Sequence, residues 1–361
     1  MAVNPLLIQA LKRLNPSAPA GPEDFIDREW EGMARGWDVC ERLTTLLAAG
    51  FTVRAVLHGP IGVGKTTELR RWARELEGIA AVVQVVAPRP SNEVPPYQES
   101  ARQVAGFLED ALAQHVGWDW RDVQSATDAD PDRSSLSVLL SRAFQDADPA
   151  LPKLLLIDAL DLLTNEQDQI FGAAQNLPLD ELPSVVFVGA HPWFLLTPRE
   201  RRDPRLEYIW ELPCFAVQDP DGRPNPLAIE ALAKGLQRRL GPTEGAFWDL
   251  HACCETAAYI SGGVPRDAIR VLHAAVLSAA KAGQVNAAHL NIGVNELRQD
   301  IAQSLSSAEL ARVAEVGRTL NHQGDASLIS KNAILPYDLP DRRYWLPHPV
   351  LLNLLPPPKG R

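Results

Sequence analysis

The stretch HGPIGVGKTTEL, residues 58–69, decides the fold, because three glycines stand beside one lysine and two threonines. From Gly59 to Thr66 it matches the pattern G-x-x-x-x-G-K-[ST], whose glycines let backbone N–H groups approach phosphate oxygens closely. The apolar, β-branched stretch TVRAVLHG (52–59) precedes it, and the helical pattern TTELRRWARELEG (66–78) follows it. A strand, a glycine-rich loop and a helix in this order are the setting that the pattern requires. The sequence therefore predicts a nucleotide-binding phosphate loop.

Each part of the predicted loop has a physical task. The helix that follows offers free N–H groups and the positive end of its dipole to a phosphate. Lys65 is predicted to bridge the β- and γ-phosphates, Thr66 to ligate Mg²⁺, and Thr67 to donate a hydroxyl hydrogen bond. The cofactors that we expect are ATP, ADP and Mg²⁺, bound by Gly59, Pro60, Ile61, Gly62, Val63, Gly64, Lys65, Thr66 and Thr67.

A carboxylate for the metal ion is predicted at the end of another apolar strand. In LLLIDALD (154–161), four apolar residues precede Asp158. Ligands of doubly wound sheets gather at the carboxyl ends of the strands, so we expect Asp158 beside the phosphate loop, holding Mg²⁺ through water. The alternative is that Asp158 caps the helix that follows it.

Strand patterns alternate with helical patterns up to residue 215. This alternation predicts an α/β fold with a parallel sheet covered on both faces. The polar stretch 117–135 indicates an irregular surface insertion. We expect strands at 52–59, 80–88, 153–161, 182–191 and 207–215, and helices near 38–49, 66–78, 99–115 and 135–146.

The pattern changes after the proline-rich stretch QDPDGRPNP (218–226). Residues 227–303 show repeated helical periods and no strand pattern, which predicts a helical lid and a connecting helix. Residues 306–361 indicate two helices and a hairpin around ILPYDLPDRRYWLPHPVL, a pattern that suits a winged-helix-like module. We expect four segments: an N-terminal segment and linker (1–24), a P-loop nucleotide-binding domain (25–222), the helical lid (223–290) and the winged-helix-like domain (291–361).

Composition indicates a globular protein of a reducing compartment. Hydrophobic residues make up 46% of the 361 residues, which is enough for a sizeable core. A net charge of −10 repels a polyanion on average, which weighs against non-specific nucleic-acid binding. The four cysteines form no CxxC pair, no apolar run approaches the ~20 residues of a membrane span, and we recognise no signal peptide. We therefore expect a cytoplasmic protein that does not bind a membrane.

Several motifs together resemble those of AAA+ ATPases: the phosphate loop, LIDALD (156–161), a fourth strand and SGGVPRDAIRVL (261–272). Over residues 20–290 the chain is similar to the STAND signalling ATPases and the origin-recognition-like initiator ATPases. FIDREWE resembles the entry segment of these families, so the resemblance places Phe25 and Arg28 against the adenine. It gives Arg266 the role of the lid arginine that reaches the γ-phosphate; the alternative is a water-exposed residue at a helix N-terminus.

The resemblance also implies residues for hydrolysis. Asp161 would orient the attacking water, since the residue after Asp158 is alanine where many relatives have glutamate, and Glu166 lies further along the chain; alternatively, Asp161 is a helix N-cap and hydrolysis is slow. His191 is the polar candidate for a sensor after the fourth strand, where asparagine or threonine is more usual; alternatively, it is structural. For an arginine finger acting in a neighbouring subunit, Arg205 lies nearest the expected position and Arg202 is second; alternatively, both belong to a solvated basic loop.

The C-terminal module is nearly neutral. From Glu296 to Arg361 there are 8 Lys/Arg and 7 Asp/Glu residues, unlike the basic footprint of a DNA-binding domain. Its apolar hairpin favours docking on protein, as this module commonly does in STAND-like proteins. Arg342 and Arg343 are the basic pair that would contact a phosphate backbone, and His348 is interpreted as a packing residue.

Two hypotheses follow for function. In the first, ATP closes the lid on Lys65, Arg266 and Mg²⁺, the C-terminal module shifts, and a nucleotide-dependent homo-oligomer acts on a separately encoded effector protein. The second is a DNA-associated AAA+ ATPase of the initiator, loader or transposition-regulator type, with DNA the less favoured partner. A small-molecule kinase is a weaker third hypothesis, because the sequence shows no acceptor-site motif.

Overall fold

The computed structural model describes residues 4–24, 39–86, 100–130, 132–158, 182–190, 205–322, 324–339 and 342–355. They fall into two compact units. The helical unit contains the described parts of Met1–Asp38, Gly59–Thr67 and Leu212–Arg361. The sheet unit contains the described parts of Val39–His58 and Glu68–Glu211.

The sheet has five strands in the order β2-β3-β4-β1-β5. β2 pairs with β3, β3 with β4, and β1 with β5, each in parallel. All but the first residue of β1 and of β3 is buried, because a parallel strand that is covered on both faces needs an apolar run. The strands are β1 (Arg54–Gly59), β2 (Ala81–Val86), β3 (Lys153–Asp158), β4 (Ser184–Ala190) and β5 (Tyr208–Glu211).

Helices of the sheet unit build its core against these strands. Leu112 and Leu139 are fully buried in one cluster with Leu155 and Val185 of the sheet. The helices are α2 (Val39–Ala48), α3 (Lys65–Glu75), which begins in the phosphate loop, α4 (Ser100–Val116), α5 (Trp120–Ala129) and α6 (Ser135–Ala143).

The stretch 117–135 is not the irregular insertion that its polarity predicted. Helix α5 begins with a capping box in which the Asp119 carboxylate accepts from the backbone N–H groups of Arg121 and Asp122. The Asp122 carboxylate in turn accepts from the Asp119 N–H at 2.9 Å, and Val123 is buried in the core. The prediction was wrong because it relied on apolar periodicity and overlooked the capping box, which satisfies N–H groups at the start of a helix whatever the polarity of its surface.

The helical unit is built from the N-terminal helix and the helices after β5. Leu7, Ala10 and Leu14 of the N-terminal segment are buried. The Arg239 guanidinium donates to the backbone carbonyl oxygens of Arg13 and, at 3.3 Å, Ala18, so this segment is attached along its length. The helices are α1 (Pro5–Arg13), α7 (Pro226–Leu240), α8 (Leu250–Ile260), α9 (Pro265–Ser278) and α10 (Ala287–Gln303).

The C-terminal module, residues 306–355, belongs to the helical unit. Its hairpin is antiparallel and lies where the sequence predicted it, with Tyr337 opposite Tyr344. The elements are α11 (Ser307–Thr319), α12 (Ala326–Ser330), β6 (Ile334–Leu339), β7 (Arg342–Pro347) and a 3₁₀ turn (Pro349–Leu354). The two helices and the hairpin that the sequence predicted are present, and the assignment of these elements as a winged-helix-like module that docks on protein stays a prediction.

The expected fold class is confirmed: a parallel α/β sheet of the P-loop type, a helical part and a separate small antiparallel sheet. The boundary that we predicted at 290/291 falls inside α10. None of the helices in the described part of the chain combines the length and apolar character needed to cross a membrane.

Candidate nucleotide-binding site

Glycines shape the phosphate loop between β1 and α3. Gly62 and Gly64 have φ of 86° and 108°, a backbone conformation that residues with a Cβ rarely adopt. A Cβ on Gly59 would lie 2.4 Å from the backbone oxygen of Leu212, so this position needs glycine for a close approach of backbones. The loop therefore has left-handed turns at glycine, a backbone shape whose N–H groups can converge on an anion.

Lys65 begins α3 and folds back over the loop. Its Nζ donates to the carbonyl oxygens of Gly59 at 2.8 Å and Pro60 at 3.1 Å. The N–H groups of the first helical turn have no intrahelical acceptor, and the helix dipole is positive here. An ammonium group and helix N–H donors thus lie on one short segment, which is the chemistry of a polyphosphate site.

Thr67 is tied to the N-terminal segment, a contact that the sequence did not predict. Its Oγ1 accepts a hydrogen bond of 3.2 Å from the backbone N–H of Ala20. The hydroxyl proton stays available for donation, because a hydroxyl group can accept and donate at once. Thr66 and Thr67 are both half-buried.

Arg266 lies next to the loop, at the start of α9. A turn at Gly262 and Gly263, with φ of 63° and 76°, leads into the helix, and Pro265 occupies its first turn. The Arg266 N–H donates to the Gly62 carbonyl oxygen at 3.2 Å. A Cβ on Gly62 would lie 2.6 Å from the Arg266 Cβ, whereas the Arg266 residue as a whole is exposed. The structure thus brings this predicted sensor to the phosphate loop with its side chain accessible.

Asp158 is the last residue of β3. It is 4% exposed and pairs with Val86 of β2. β1 and β3 run parallel with β4 between them, so both strands end at the same edge of the sheet. Asp158 therefore lies at the carboxyl edge of the sheet, as predicted.

The C-terminal module contacts both the loop and the turn before Arg266. The Asn332 Nδ2 donates to the Ile61 carbonyl oxygen at 3.0 Å, and the Tyr337 hydroxyl donates to the Gly262 oxygen at 2.9 Å. Burial raises the pKa of Tyr337 well above its usual value, so the phenol keeps the proton that it donates. His348, interpreted from sequence as a packing residue, is fully buried, with its Nε2 3.7 Å from the Asp267 Oδ2. Sequence reasoning missed Asn332.

Several predicted site residues lie outside the described part of the chain: Phe25, Arg28, Asp161, His191 and Arg202. The roles given to them stay predictions. Arg205 is described; it lies just before β5 in the sheet unit and is half-buried.

The five-stranded sheet and the glycine-rich loop after β1 define a fold of the P-loop type. No protein-family model and no curated protein matches the chain. Among solved structures it is similar to the Orc1 protein of Aeropyrum pernix in complex with DNA (17% identity, 94% of this chain and 93% of that one, TM-score 0.46). It is also similar to the RuvB Holliday junction branch migration motor of Thermotoga maritima (16%, 95% and 100%, TM-score 0.42) and a Walker-type ATPase of Pyrococcus abyssi (13%, 95% and 99%, TM-score 0.49).

Proposed function

We propose that this chain is an ATP-binding and ATP-hydrolysing switch of the AAA+ type, similar to STAND ATPases, whose nucleotide state controls assembly with a separate partner protein. One observation carries the proposal: α9 and the C-terminal module both donate hydrogen bonds to carbonyl groups of the phosphate loop, at Gly62 and Ile61. A ligand that binds the loop thereby acts on elements that are far from it in sequence.

The residues of the helical unit fit a polyphosphate. The loop from Gly59 to Gly64 and the N-terminus of α3 would supply backbone donors, and Lys65 would exchange the carbonyl oxygens of the loop for phosphate oxygens. Thr67 would donate its hydroxyl proton. Bound Mg²⁺ neutralises phosphate charge, and the sequence assigns it to Thr66 and Asp158.

The γ-phosphate would distinguish the two states of the switch. The exposed Arg266 guanidinium is available to it, while the Arg266 N–H already fixes the start of α9 against the loop. A charge-assisted bond that forms only with ATP supplies the differential contact that a switch requires. Asp161 and His191 would serve hydrolysis and sensing, and Arg205 or Arg202 would act in a neighbouring subunit, so that the active form is a homo-oligomer.

The test begins with nucleotide binding. Lys65→Ala removes the ammonium group and is expected to weaken ATP and ADP binding by roughly 10- to 100-fold, the range for hydrogen bonds to charged groups. Lys281→Ala, at an exposed lysine of the same unit, is the matched control. Equal affinity of the two variants contradicts the proposal.

The second measurement is the native mass of the particle with ADP and with a non-hydrolysable ATP analogue. Growth of the assembly with the analogue alone supports the switch. The same mass with both nucleotides contradicts it, even where binding is tight.

DNA association is the second candidate function. The C-terminal module exposes Arg342 in its hairpin, whereas the Arg343 guanidinium donates to the Asp338 carboxylate at 3.2 Å. The expectation from net charge that DNA is the less favoured partner gains no support from the structure. DNA-stimulated ATP hydrolysis that fades steeply with salt, and that Arg342→Ala reduces, would favour this candidate over the switch.

A further inference from the structure

We propose that Asn332 is a positioning residue for the phosphate loop, through which the C-terminal module sets the affinity of the loop for polyphosphate. The inference rests on the proposed nucleotide binding and adds a control point that the sequence did not indicate. It is carried by the hydrogen bond of 3.0 Å from the Asn332 Nδ2 to the Ile61 carbonyl oxygen.

That hydrogen bond fixes a peptide group. In a planar trans peptide the C=O and the following N–H point in opposite directions, so holding the Ile61 oxygen directs the Gly62 N–H to the other side of the loop. The next carbonyl along the chain, that of Gly62, is held by the Arg266 N–H at 3.2 Å. Two consecutive peptide groups of the loop are thus oriented from outside, one by the C-terminal module and one by α9.

The backbone around Asn332 presents its side chain in a fixed way. Asn332 has φ of 52°, a left-handed conformation that asparagine tolerates better than most residues. Its N–H donates to the Ile329 oxygen at 3.1 Å, and the Ala333 N–H donates to the Leu328 oxygen at 2.9 Å. The backbone that carries the Asn332 side chain is therefore fixed by a hydrogen-bonded turn between α12 and β6.

Of the two polar atoms of the Asn332 side-chain amide, only Nδ2 makes a hydrogen bond within the described part of the chain. The Asn332 Oδ1 is buried and has no hydrogen-bond partner among the described residues. A buried acceptor without a donor is unfavourable, and a functional task of the side chain is one explanation for such an atom. Here the task that the geometry provides is donation to the phosphate loop.

The energetic consequence concerns preorganisation. Without the Asn332 side chain, the ligand itself must order the Ile61–Gly62 peptide group. The free-energy cost of that ordering reduces the affinity for the ligand. By linkage, a ligand that binds the oriented loop also stabilises the docking of the C-terminal module. The loss of one neutral hydrogen bond corresponds to an affinity roughly 3- to 10-fold weaker.

The experiment compares four full-length variants with the wild-type chain: Asn332→Asp, Asn332→Gly, Asn353→Asp and Asn353→Gly. Asn332→Asp keeps the shape of the side chain and removes the hydrogen-bond donor. Asn332→Gly also removes the donor, adds no charge, and suits the positive φ at this position. Asn353 is exposed on the C-terminal 3₁₀ turn, so its variants control for charge and flexibility. Magnesium ATP and inorganic tripolyphosphate, each competing with a fluorescent ATP analogue, are the probes.

We expect each Asn332 variant to bind both probes more weakly than the wild type. For a given variant, the factor should be the same for ATP and for tripolyphosphate. Both Asn353 variants should match the wild type. Circular dichroism and unfolding midpoints without ligand check that the variants fold. Weaker binding by Asn332→Asp alone overturns the inference, because charge would be the cause. So does a loss for ATP that tripolyphosphate does not share. If the wild-type chain binds neither probe, the proposed function fails; if it binds and Asn332→Gly binds equally well, only the inference fails.

Discussion

Replacing Gly263 by alanine tests how tightly the turn before Arg266 is enclosed. A Cβ at this position would lie 2.0 Å from the Phe215 backbone oxygen and 2.9 Å from the Phe215 nitrogen. The obstacle is backbone, so no side-chain rotation relieves it. The same Phe215 N–H donates to the Gly263 oxygen at 3.1 Å, and a shift that removes the clash also breaks this hydrogen bond.

The expected magnitude separates two causes. A left-handed conformation costs a non-glycine residue about 1–2 kcal/mol, and this applies at Gly263 with φ of 76° and at Gly283 with φ of 80°. A Cβ on Gly283 would meet nothing within 4 Å, so Gly283→Ala suffers the conformational cost alone. Gly263→Ala has two further costs. Overpacking against the Phe215 backbone costs about 1–3 kcal/mol. The loss of the hydrogen bond from the Phe215 N–H costs about 1 kcal/mol. The free energy of unfolding should therefore fall by at least about 2 kcal/mol more in Gly263→Ala than in Gly283→Ala.

Urea unfolding followed by circular dichroism measures the difference, with slopes compared between variants so that a midpoint shift can be assigned to stability. A second readout is nucleotide affinity, which should fall in Gly263→Ala because the displaced turn carries Arg266 away from the Gly62 oxygen. Equal loss of stability in the two alanine variants refutes the reasoning, since the Phe215 carbonyl would then offer no resistance.

Three further predictions concern titration, thiol reactivity and the N-terminal segment. Burial and the nearby Arg343 lower the pKa of His322, so the folded state binds fewer protons than the unfolded one. The free energy of unfolding should therefore fall as pH drops below about 6.5, and less so in His322→Gln, measured by urea unfolding at about pH 5.5 and about pH 7.5. Burial raises the pKa of Cys253 to about 11 and that of Cys254 further, so a disulfide reagent should modify neither thiol until the chain unfolds. Arg239→Met leaves the Arg13 and Ala18 oxygens without their donor and should speed tryptic cleavage after Arg13, measured as the rate of loss of the intact chain.

The parts of the site that could be predicted from sequence are those in which neighbouring residues act together. The phosphate loop, the helix after it and the strand before it are contiguous, so their pattern carries the whole geometry of Gly62, Gly64 and Lys65. Asp158 was placed correctly at the end of β3, because a buried parallel strand is a simple apolar run that stops at the edge of the sheet. Arg266 was placed at the start of a helix by the glycines and the proline before it.

The parts that sequence reasoning missed depend on long-range contacts or on polar caps. Helix α5 has a polar surface, and the sign of its start is the capping box of Asp119 and Asp122. A search for apolar residues at helical spacing overlooks such a pair. The contact between Ala20 and Thr67 joins a backbone N–H of the N-terminal segment to a side-chain hydroxyl group at the start of α3. Neither residue type is unusual for its position, so the pattern gave no indication of the contact.

Asn332 shows why such contacts escape a sequence pattern and still matter physically. Its acceptor is the carbonyl oxygen of Ile61, a group that every residue carries, and Ile61 as a residue is 43% exposed. The identity of residue 61 therefore holds no information about the contact, and Asn332 alone indicates it through a left-handed turn that many residue types disfavour. The same argument applies to the Arg266 N–H and the Gly62 oxygen. Because the loop takes part in both contacts through backbone carbonyl groups, its sequence pattern identifies the phosphate loop and not the elements that orient it.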